Sequence, residues 1–175
     1  MDYQFDLVGK IGSMALIRRE DNDIDYNIFA RLGAELKPGM IWVTSGAAEI
    51  GRLDYIKRAG HELTGSPNEV KADYAAQGQS ILMQNYRQFV SHTVGVRQLL
   101  VEHTHFNDPE KREYIRKLQE SCVGASRAGA NGAKAKLEFA LKSALQGTTV
   151  IIGHARHHLS DLTEGRVPCT RVSLL

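Results

Sequence analysis

The sequence has little cysteine, little net charge and no long apolar run. Its two cysteines, Cys122 and Cys169, show no C-x-x-C spacing, so neither a disulfide framework nor a zinc site is expected. A formal net charge of +2, with no basic block longer than a pair, argues against nucleic acid as a partner. The apolar runs are too short to span a membrane, and the acidic first residues are unlike a signal peptide. We therefore expect a cytoplasmic protein whose partner is neither nucleic acid nor a membrane.

Familiar ligand-binding fingerprints are missing as well. The sequence contains neither G-x-x-x-x-G-K-[ST] nor G-x-G-x-x-G, which argues against a P-loop nucleotide hydrolase and against a Rossmann dinucleotide site. The seven histidines and their neighbouring acids complete no recognised metal-ligand spacing, so we expect no protein-bound metal site. Any phosphate must therefore be handled by backbone turns of another kind.

The sequence does contain a regular alternation of strand and helix patterns. We expect strands, each followed by a turn, over residues 6–11, 40–44, 94–101, 148–152 and 167–172. We expect residues 13–17 to continue the first strand or to pair with it. Helical spacing predicts helices over residues 24–36, 46–60, 70–90, 109–118 and 133–146, with a short one near Leu159. This order predicts a single α/β domain over residues 1–175, a three-layer α/β/α sandwich with a mostly parallel open sheet.

The most informative turn follows the strand pattern of residues 40–44. Ser45, Gly46 and Ala47 open the next helix pattern, and the backbone N–H groups at a helix start have no partner within the helix. The small side chains allow a carboxylate or a phosphate to approach these groups, with the helix dipole in its favour. We therefore expect these three residues to bind the substrate, with the Ser45 hydroxyl donating to its carboxylate. A plain N-cap role for Ser45 is the alternative.

A second small-residue turn, Gly12-Ser13, follows the first strand pattern. Lys10 lies at the end of that apolar strand, where a cation is expected to face a ligand, and Gly12 allows an oxyanion to approach the backbone. We expect Lys10, Gly12 and Ser13 to bind phosphate. Alternatively, Lys10 extends along the edge of the sheet into solvent. Because ligands of parallel sheets bind beyond the carboxyl ends of the strands, we expect this turn and the Ser45 turn to converge.

A third turn, over residues 129–136, precedes another helix pattern. Lys136 lies on the first turn of that helix, which is the wrong end for a cation unless an anion lies between it and the helix start. Lys134 is its competitor, since the two differ by roughly 200° around a helix of ~3.6 residues per turn. We expect phosphate or nucleotide binding by Gly129, Asn131, Gly132 and Lys136. Three such turns predict phosphoryl transfer, which depends mainly on positioning and on charge neutralisation.

The order of these motifs resembles that of the amino acid kinase superfamily. Residues 8–13 (VGKIGS) are similar to its V-x-K-x-G-S opening, and residues 43–52 (VTSGAAEIGR) to its V-S-S-G-A…G-R turn. Residues 77–86 resemble its G-Q-x-x-L-M-x-x-Y helix. Residues 98–108 resemble its Q-x-L-L…F-x-D segment, and residues 129–137 its G-T-G-G-M-x-x-K-L turn. Within the superfamily, the chain is most similar to the glutamate 5-kinases.

This resemblance implies an ATP-dependent transferase that phosphorylates a side-chain carboxylate, with glutamate as the first candidate and proline biosynthesis as the setting. It implies ATP and Mg²⁺ as cofactors, Lys10 and Lys136 as catalytic residues on either side of the transferred group, and a homo-oligomer. The chain departs from the family in one region. Leu118–Glu120 runs directly into residues 121–124, so the sequence near residues 118–124 lacks a central segment that carries the family's catalytic aspartate. Either that segment is omitted from this sequence, or the protein has lost the aspartate.

Two other functions are open at this point. A uridylate-kinase-like nucleotide kinase would use the same turns, although the G-Q-x-x-L-M helix argues against it. A non-catalytic module of the same fold would bind a nucleotide or another anion without turnover, and the short central region favours that function.

Overall fold

The computed structural model of the protein describes residues 7–100, 109–110 and 139–173. The chain forms two compact units, Met1–Ser126 and Arg127–Leu175. Each unit combines helical segments with small β-sheets, so the chain is mixed α/β, as the alternating sequence pattern predicts. No helix in these described parts of the chain is both long enough and apolar enough to cross a membrane.

The first unit contains two small sheets and a set of helices. Its strands within residues 7–100 are β1 (Leu7–Ile11), β2 (Ile17–Arg18), β3 (Asp23–Ile24) and β4 (Met40–Thr44). Its helices there are α1 (Tyr26–Glu35), α2 (Ala47–Ala59), α3 (Pro67–Phe89) and a 3₁₀ helix (Ser13–Leu16). Strands β1 and β4 pair in parallel, whereas β2 and β3 pair antiparallel. The predicted positions of β1, α1, β4, α2 and α3 are confirmed to within three residues at each end.

The parallel pair β1–β4 has α3 on one face. Gly9 pairs with Trp42, and a Cβ at Gly9 would lie 2.1 Å from Trp42 Cζ3, so the indole ring lies directly over the Gly9 backbone. The indole N–H also reaches Tyr86 of α3, which places this face of β1 toward that helix. Because side chains alternate along a strand, Val8 and Lys10 point to the other face, where both are exposed.

Helices α2 and α3 approach each other backbone to backbone at two glycines. A Cβ at Gly51 would lie 1.8 Å from the carbonyl oxygen of Tyr74, and a Cβ at Gly78 would lie 1.9 Å from the carbonyl oxygen of Ala47. Neither crossing point therefore leaves room for a side chain. Since Ala47 is the first residue of α2, the contact at Gly78 holds the start of α2 against α3.

The core of the first unit is formed by apolar side chains from both its helices and its strands. The largest fully buried side chains, all less than 2% exposed, are Leu16, Phe29, Leu32, Ile50 and Leu82. Phe29 of α1 packs edge-on against the Tyr86 ring of α3, with 5.1 Å between the ring centroids. This contact ties α1 to α3 and fixes the orientation of the tyrosine ring.

The second unit contains an antiparallel strand pair with a short helix. Within residues 139–173 these are β5 (Val150–Gly153), α4 (Leu159–Glu164) and β6 (Cys169–Val172), and residues 139–144 are also helical. Gly153 pairs with Cys169, and a Cβ at Gly153 would lie 2.1 Å from Leu162 Cδ2. The side chain of Leu162 therefore packs α4 on the strand pair. These elements overlap the strands and helices that the sequence predicts for this part of the chain.

Two strand predictions are wrong. Residues 94–100 form neither a helix nor a strand, because no described strand pairs with them and a strand needs a neighbour for its backbone hydrogen bonds. Residues 13–16 do not continue β1, because the Ala15 N–H donates to the Gly12 carbonyl at 3.1 Å and closes a 3₁₀ turn. Of the helix predicted over residues 109–118, the first two residues are helical and the others lie outside the described residues.

Candidate functional site

Two helix starts lie side by side at the carboxyl ends of β1 and β4. The last paired residues of these strands are Ile11 and Thr44. Immediately beyond them, Gly12 precedes the 3₁₀ helix and Gly46 precedes α2. The Ser45 hydroxyl donates to the Ile11 carbonyl oxygen at 3.3 Å, which links the two turns directly. The two turns therefore converge, as the order of strands and helices predicts.

Gly46 allows this close approach. Its φ of +120° is a conformation that residues with a side chain rarely adopt, and its backbone is buried. A Cβ at Gly46 would lie 3.2 Å from Leu16 Cδ1 and 3.6 Å from Ser13 Cα. Ser13 therefore lies against the start of α2, which brings together residues from two of the three turns that we expect to bind anions.

Neither of these helix starts is capped by a side chain. The first N–H groups of α2, from Ala47 onward, have no partner within the helix, and they lie at the positive end of a 13-residue helix. Gly12 has no atom within 4 Å of the position that a Cβ would occupy, so there is open space beside it. The two turns can therefore offer backbone donors to a carboxylate or a phosphate.

Ser45 does not act as the N-cap of α2. Gly46 occupies that position, so the plain capping role is wrong. The Ser45 hydroxyl has a single hydrogen, and it is donated to the Ile11 carbonyl. Donation to a substrate carboxylate, which the sequence predicts, would therefore require this bond to break. In the structure, Ser45 joins the ends of β1 and β4, and the backbone of Gly46 and Ala47 provides the donors.

Lys10 supplies positive charge at this end of β1. It lies two residues before Gly12 on the exposed face of the strand, and no acid among the described residues pairs with it. Lys57 gives the contrast, because its Nζ lies 2.5 Å from Asp23 Oδ1 and this bond lowers the pKa of Asp23 below its usual value. The charge of Lys10 is thus not neutralised by a described side chain, as a ligand-binding lysine requires.

A chain of hydrogen bonds connects α3 to the turn before α2. Trp42 Nε1 donates to the Tyr86 hydroxyl at 3.0 Å, and that hydroxyl donates to Thr44 Oγ1 at 2.9 Å. Thr44 Oγ1 in turn donates to the Ser45 carbonyl oxygen at 3.3 Å. Burial raises the pKa of Tyr86 above its usual value, so its hydroxyl stays protonated. Sequence periodicity gives only a core position for Tyr86, although a buried tyrosine needs a hydrogen-bond partner.

A second polar network holds the first turn of α2 to the loop before α3. Arg52 donates to Glu49 at 3.0 Å and to Glu62 at 2.8 Å. Glu62 also accepts a hydrogen bond from the Tyr74 hydroxyl at 2.8 Å. The hydrogen bond from Arg52, followed by that from Tyr74, lowers the pKa of Glu62. Arg52 thereby balances the charge of Glu49, which would otherwise repel an anion at the start of α2.

The third predicted turn cannot be placed beside the other two. Gly129, Asn131, Gly132 and Lys136, together with the competing Lys134, lie outside the described residues. In the described part of the second unit, the His154 ring accepts a hydrogen bond from the Arg156 N–H at 3.1 Å, and Cys169 is a free thiol. Across the described residues, no group of three or more His, Cys, Asp or Glu side chains is placed to hold a metal ion.

Comparison with known proteins adds no functional assignment to this geometry. The chain matches no family model and no curated protein sequence. Function is therefore inferred from the two convergent turns and from the motifs that they carry.

Proposed function

We propose that this protein is an ATP-dependent phosphotransferase of the amino acid kinase type, which transfers a phosphoryl group to a carboxylate acceptor such as glutamate. The observation that carries this proposal is the pair of uncapped helix starts at the carboxyl ends of β1 and β4. Backbone donors at such a position bind phosphate or carboxylate without needing a P-loop.

In this proposal, two different anions bind to two different sets of the described residues. Lys10 and the backbone of Gly12 face the transferred phosphoryl group, and the start of α2 at Gly46 and Ala47 holds the acceptor carboxylate. The closeness of Ser13 to Gly46 supports this division, because donor and acceptor must meet for an in-line transfer. The proposal places Lys136 on the opposite side of the phosphoryl group, as the resemblance implies.

Mg²⁺ would be held chiefly through the phosphates of ATP. This ion prefers octahedral oxygen coordination and keeps several of its waters, so it needs few protein ligands when a nucleotide is present. The described residues at the two turns supply cationic and N–H groups, which fit the phosphates that surround the ion. When bound, Mg²⁺ neutralises phosphate charge, and Lys10 adds a fixed positive charge to the same oxygens.

We also propose a larger fold than the small sheets alone. It is the three-layer α/β/α sandwich with a mostly parallel sheet, in which β1 and β4 would belong to the sheet and α3 to one helical layer. A cytoplasmic location and a homo-oligomer complete the proposal. Small-angle scattering of the purified protein tests the oligomer by its mass.

ADP formation in the presence of Mg²⁺ and ATP tests the activity, with glutamate and UMP as separate acceptors. We expect glutamate-dependent ADP formation, and we expect Lys10→Ala to lower kcat/KM by about 100-fold, because it removes a charge that stabilises the transferred group. Lys71→Ala is the matched control, since Lys71 is an exposed lysine on α3. Wild-type turnover by Lys10→Ala would contradict the role of this lysine.

The same assay separates the alternatives. ADP formation with UMP alone would replace the proposal with a nucleotide kinase. Tight ATP binding by calorimetry, with no acceptor that promotes ADP formation, would identify a non-catalytic binding module. Lys136→Ala tests the second cation in the same way as Lys10→Ala.

A further inference from the structure

We infer that Tyr86 is a positioning residue, which orients the backbone donors before α2 through Thr44. This inference rests on the proposed function for its consequence, because those donors are the groups that would hold the acceptor. Tyr86 itself is 5% exposed and lies on α3, so it acts through other residues and touches no ligand.

The position of the Tyr86 hydroxyl is fixed by its surroundings. The ring packs edge-on against Phe29 of α1, and the residue belongs to a long helix whose backbone is held at Gly78 against α2. The hydroxyl accepts from Trp42 Nε1, so its own hydrogen is available for Thr44. The order of donors along the chain is therefore set by the indole N–H, which can only donate.

The last bond of the chain acts on a peptide group of the turn. Thr44 Oγ1 holds the carbonyl oxygen of Ser45. Because a trans peptide is planar, the Ser45 carbonyl and the Gly46 N–H belong to one rigid group and point in opposite directions. Holding the oxygen therefore orients the Gly46 N–H, the first donor at the start of α2.

The Tyr86 hydroxyl therefore restrains the turn before α2 through Thr44. Tyr86→Phe keeps the ring and its packing on Phe29, but it leaves Thr44 free to rotate and Trp42 without its acceptor. The Ser45 carbonyl then loses this restraint, although strand β4 before it, helix α2 after it and the hydrogen bond from Ser45 Oγ to Ile11 remain. Thr44→Val should have the same effect on the turn, because it removes the final donor and keeps the β-branched shape.

NMR relaxation of the purified protein tests this inference with no ligand present. We expect Tyr86→Phe to lower the order parameters of the Gly46 and Ala47 N–H vectors toward the flexible range below about 0.6, while amides in the centre of α3 stay near about 0.85. Tyr26→Phe is the control, since Tyr26 is the first residue of α1 and its ring contacts Phe89 of α3 rather than the turn. Equal order parameters at the turn in Tyr86→Phe and in Tyr26→Phe would overturn the inference.

A binding measurement with ATP and glutamate connects the turn to the proposed site. By calorimetry, we expect Tyr86→Phe and Thr44→Val each to weaken glutamate affinity several-fold, with no further loss in the double variant, because both break the same chain. Unchanged glutamate affinity despite lower order parameters at the turn would overturn the positioning role. If the wild-type protein binds neither ATP nor glutamate, the proposed function fails, while the relaxation comparison still decides whether Tyr86 orients the turn.

Discussion

The four helix starts in residues 7–100 of the first unit fall into two groups. Helices α1 and α3 begin after Asp25 and Ser66, whose side chains accept hydrogen bonds from backbone N–H groups of the first turn. Helix α2 and the 3₁₀ helix begin after Gly46 and Gly12, and no side chain caps them. The uncapped starts are the two that lie at the carboxyl ends of the parallel strands β1 and β4.

This difference shows that the start of α2 is held in place although no side chain caps its first N–H groups. A side-chain cap typically contributes about 1 kcal/mol, and it does so by using the same backbone donors that an anion would need. Helix α2 is held instead by the close contact of Gly78 with Ala47 and by the hydrogen-bond chain from Tyr86 to Ser45. Its stability therefore comes from tertiary contacts, and its donors are left for a ligand.

We expect the largest effect on stability when the contact between Gly78 and Ala47 is disrupted, because this contact holds the start of α2 in place of a side-chain cap. An alanine at Gly78 would place its Cβ 1.9 Å from the Ala47 carbonyl oxygen and 2.4 Å from the Gly51 nitrogen, and neither backbone atom can rotate away. Although alanine is favoured over glycine within a helix by about 1 kcal/mol, we expect Gly78→Ala to lower the free energy of unfolding by about 3 kcal/mol. Urea unfolding measures this loss.

Gly12→Ala is the control for that experiment. Its Cβ would meet no atom within 4 Å and its φ is −81°, so we expect a change in the free energy of unfolding below about 0.5 kcal/mol. A similar loss for both variants would show that the start of α2 is not held by its contact with Gly78.

A smaller effect separates the capped from the uncapped starts. Ser66 and Glu69 form a capping box at the start of α3, so we expect Ser66→Ala to lower the free energy of unfolding by about 1 kcal/mol. Ser45→Ala removes only one long hydrogen bond from an exposed serine and should cost about half as much. Urea unfolding of both variants gives the comparison, and an equal or larger loss for Ser45→Ala would contradict it.

We expect the smallest effect on stability in the hydrogen-bond network in which Glu62 accepts from Arg52 and Tyr74. The hydrogen bond from Arg52, followed by that from Tyr74, lowers the pKa of Glu62. The stability that the ionised Glu62 contributes is therefore present above the ordinary glutamate pKa of about 4.3, and it is lost as pH falls through the lowered pKa. We therefore expect Glu62→Gln to lower Tm by a few degrees at most at pH 6, and by less at pH 3.

Thermal unfolding between pH 3 and pH 7 checks this pH dependence. Glu20→Gln is the matched control, because Glu20 is an exposed glutamate in a turn of the same unit. A difference between wild type and Glu62→Gln that stays constant across this range would show that the Arg52 network does not depend on the charge of Glu62.

Local sequence signals were sufficient for β1, α1, β4, α2 and α3 of the first unit and for the two turns at Gly12 and Gly46. The strand at Met40–Thr44 and the helix that ends before Gly60 follow directly from apolar periodicity and from glycine at the C-cap. The strand predicted over residues 94–101 is wrong, since a Val- and Leu-rich pattern does not provide a pairing partner. The bond from Trp42 to Tyr86 joins residues 44 positions apart, a separation that no local pattern reports.

The most direct measurement follows the backbone amide resonances of the protein by NMR as ATP is added with Mg²⁺. If the uncapped turns bind anions, the largest shifts among the helix starts will be those of the Gly12, Ser13 and Ala47 amides. The capped amides of Asn27 and Glu69 will then change little, because Asp25 and Ser66 already occupy them. Shifts of equal size at the capped and the uncapped starts, or none at Gly12 and Ala47 at saturating ATP, would contradict the anion site.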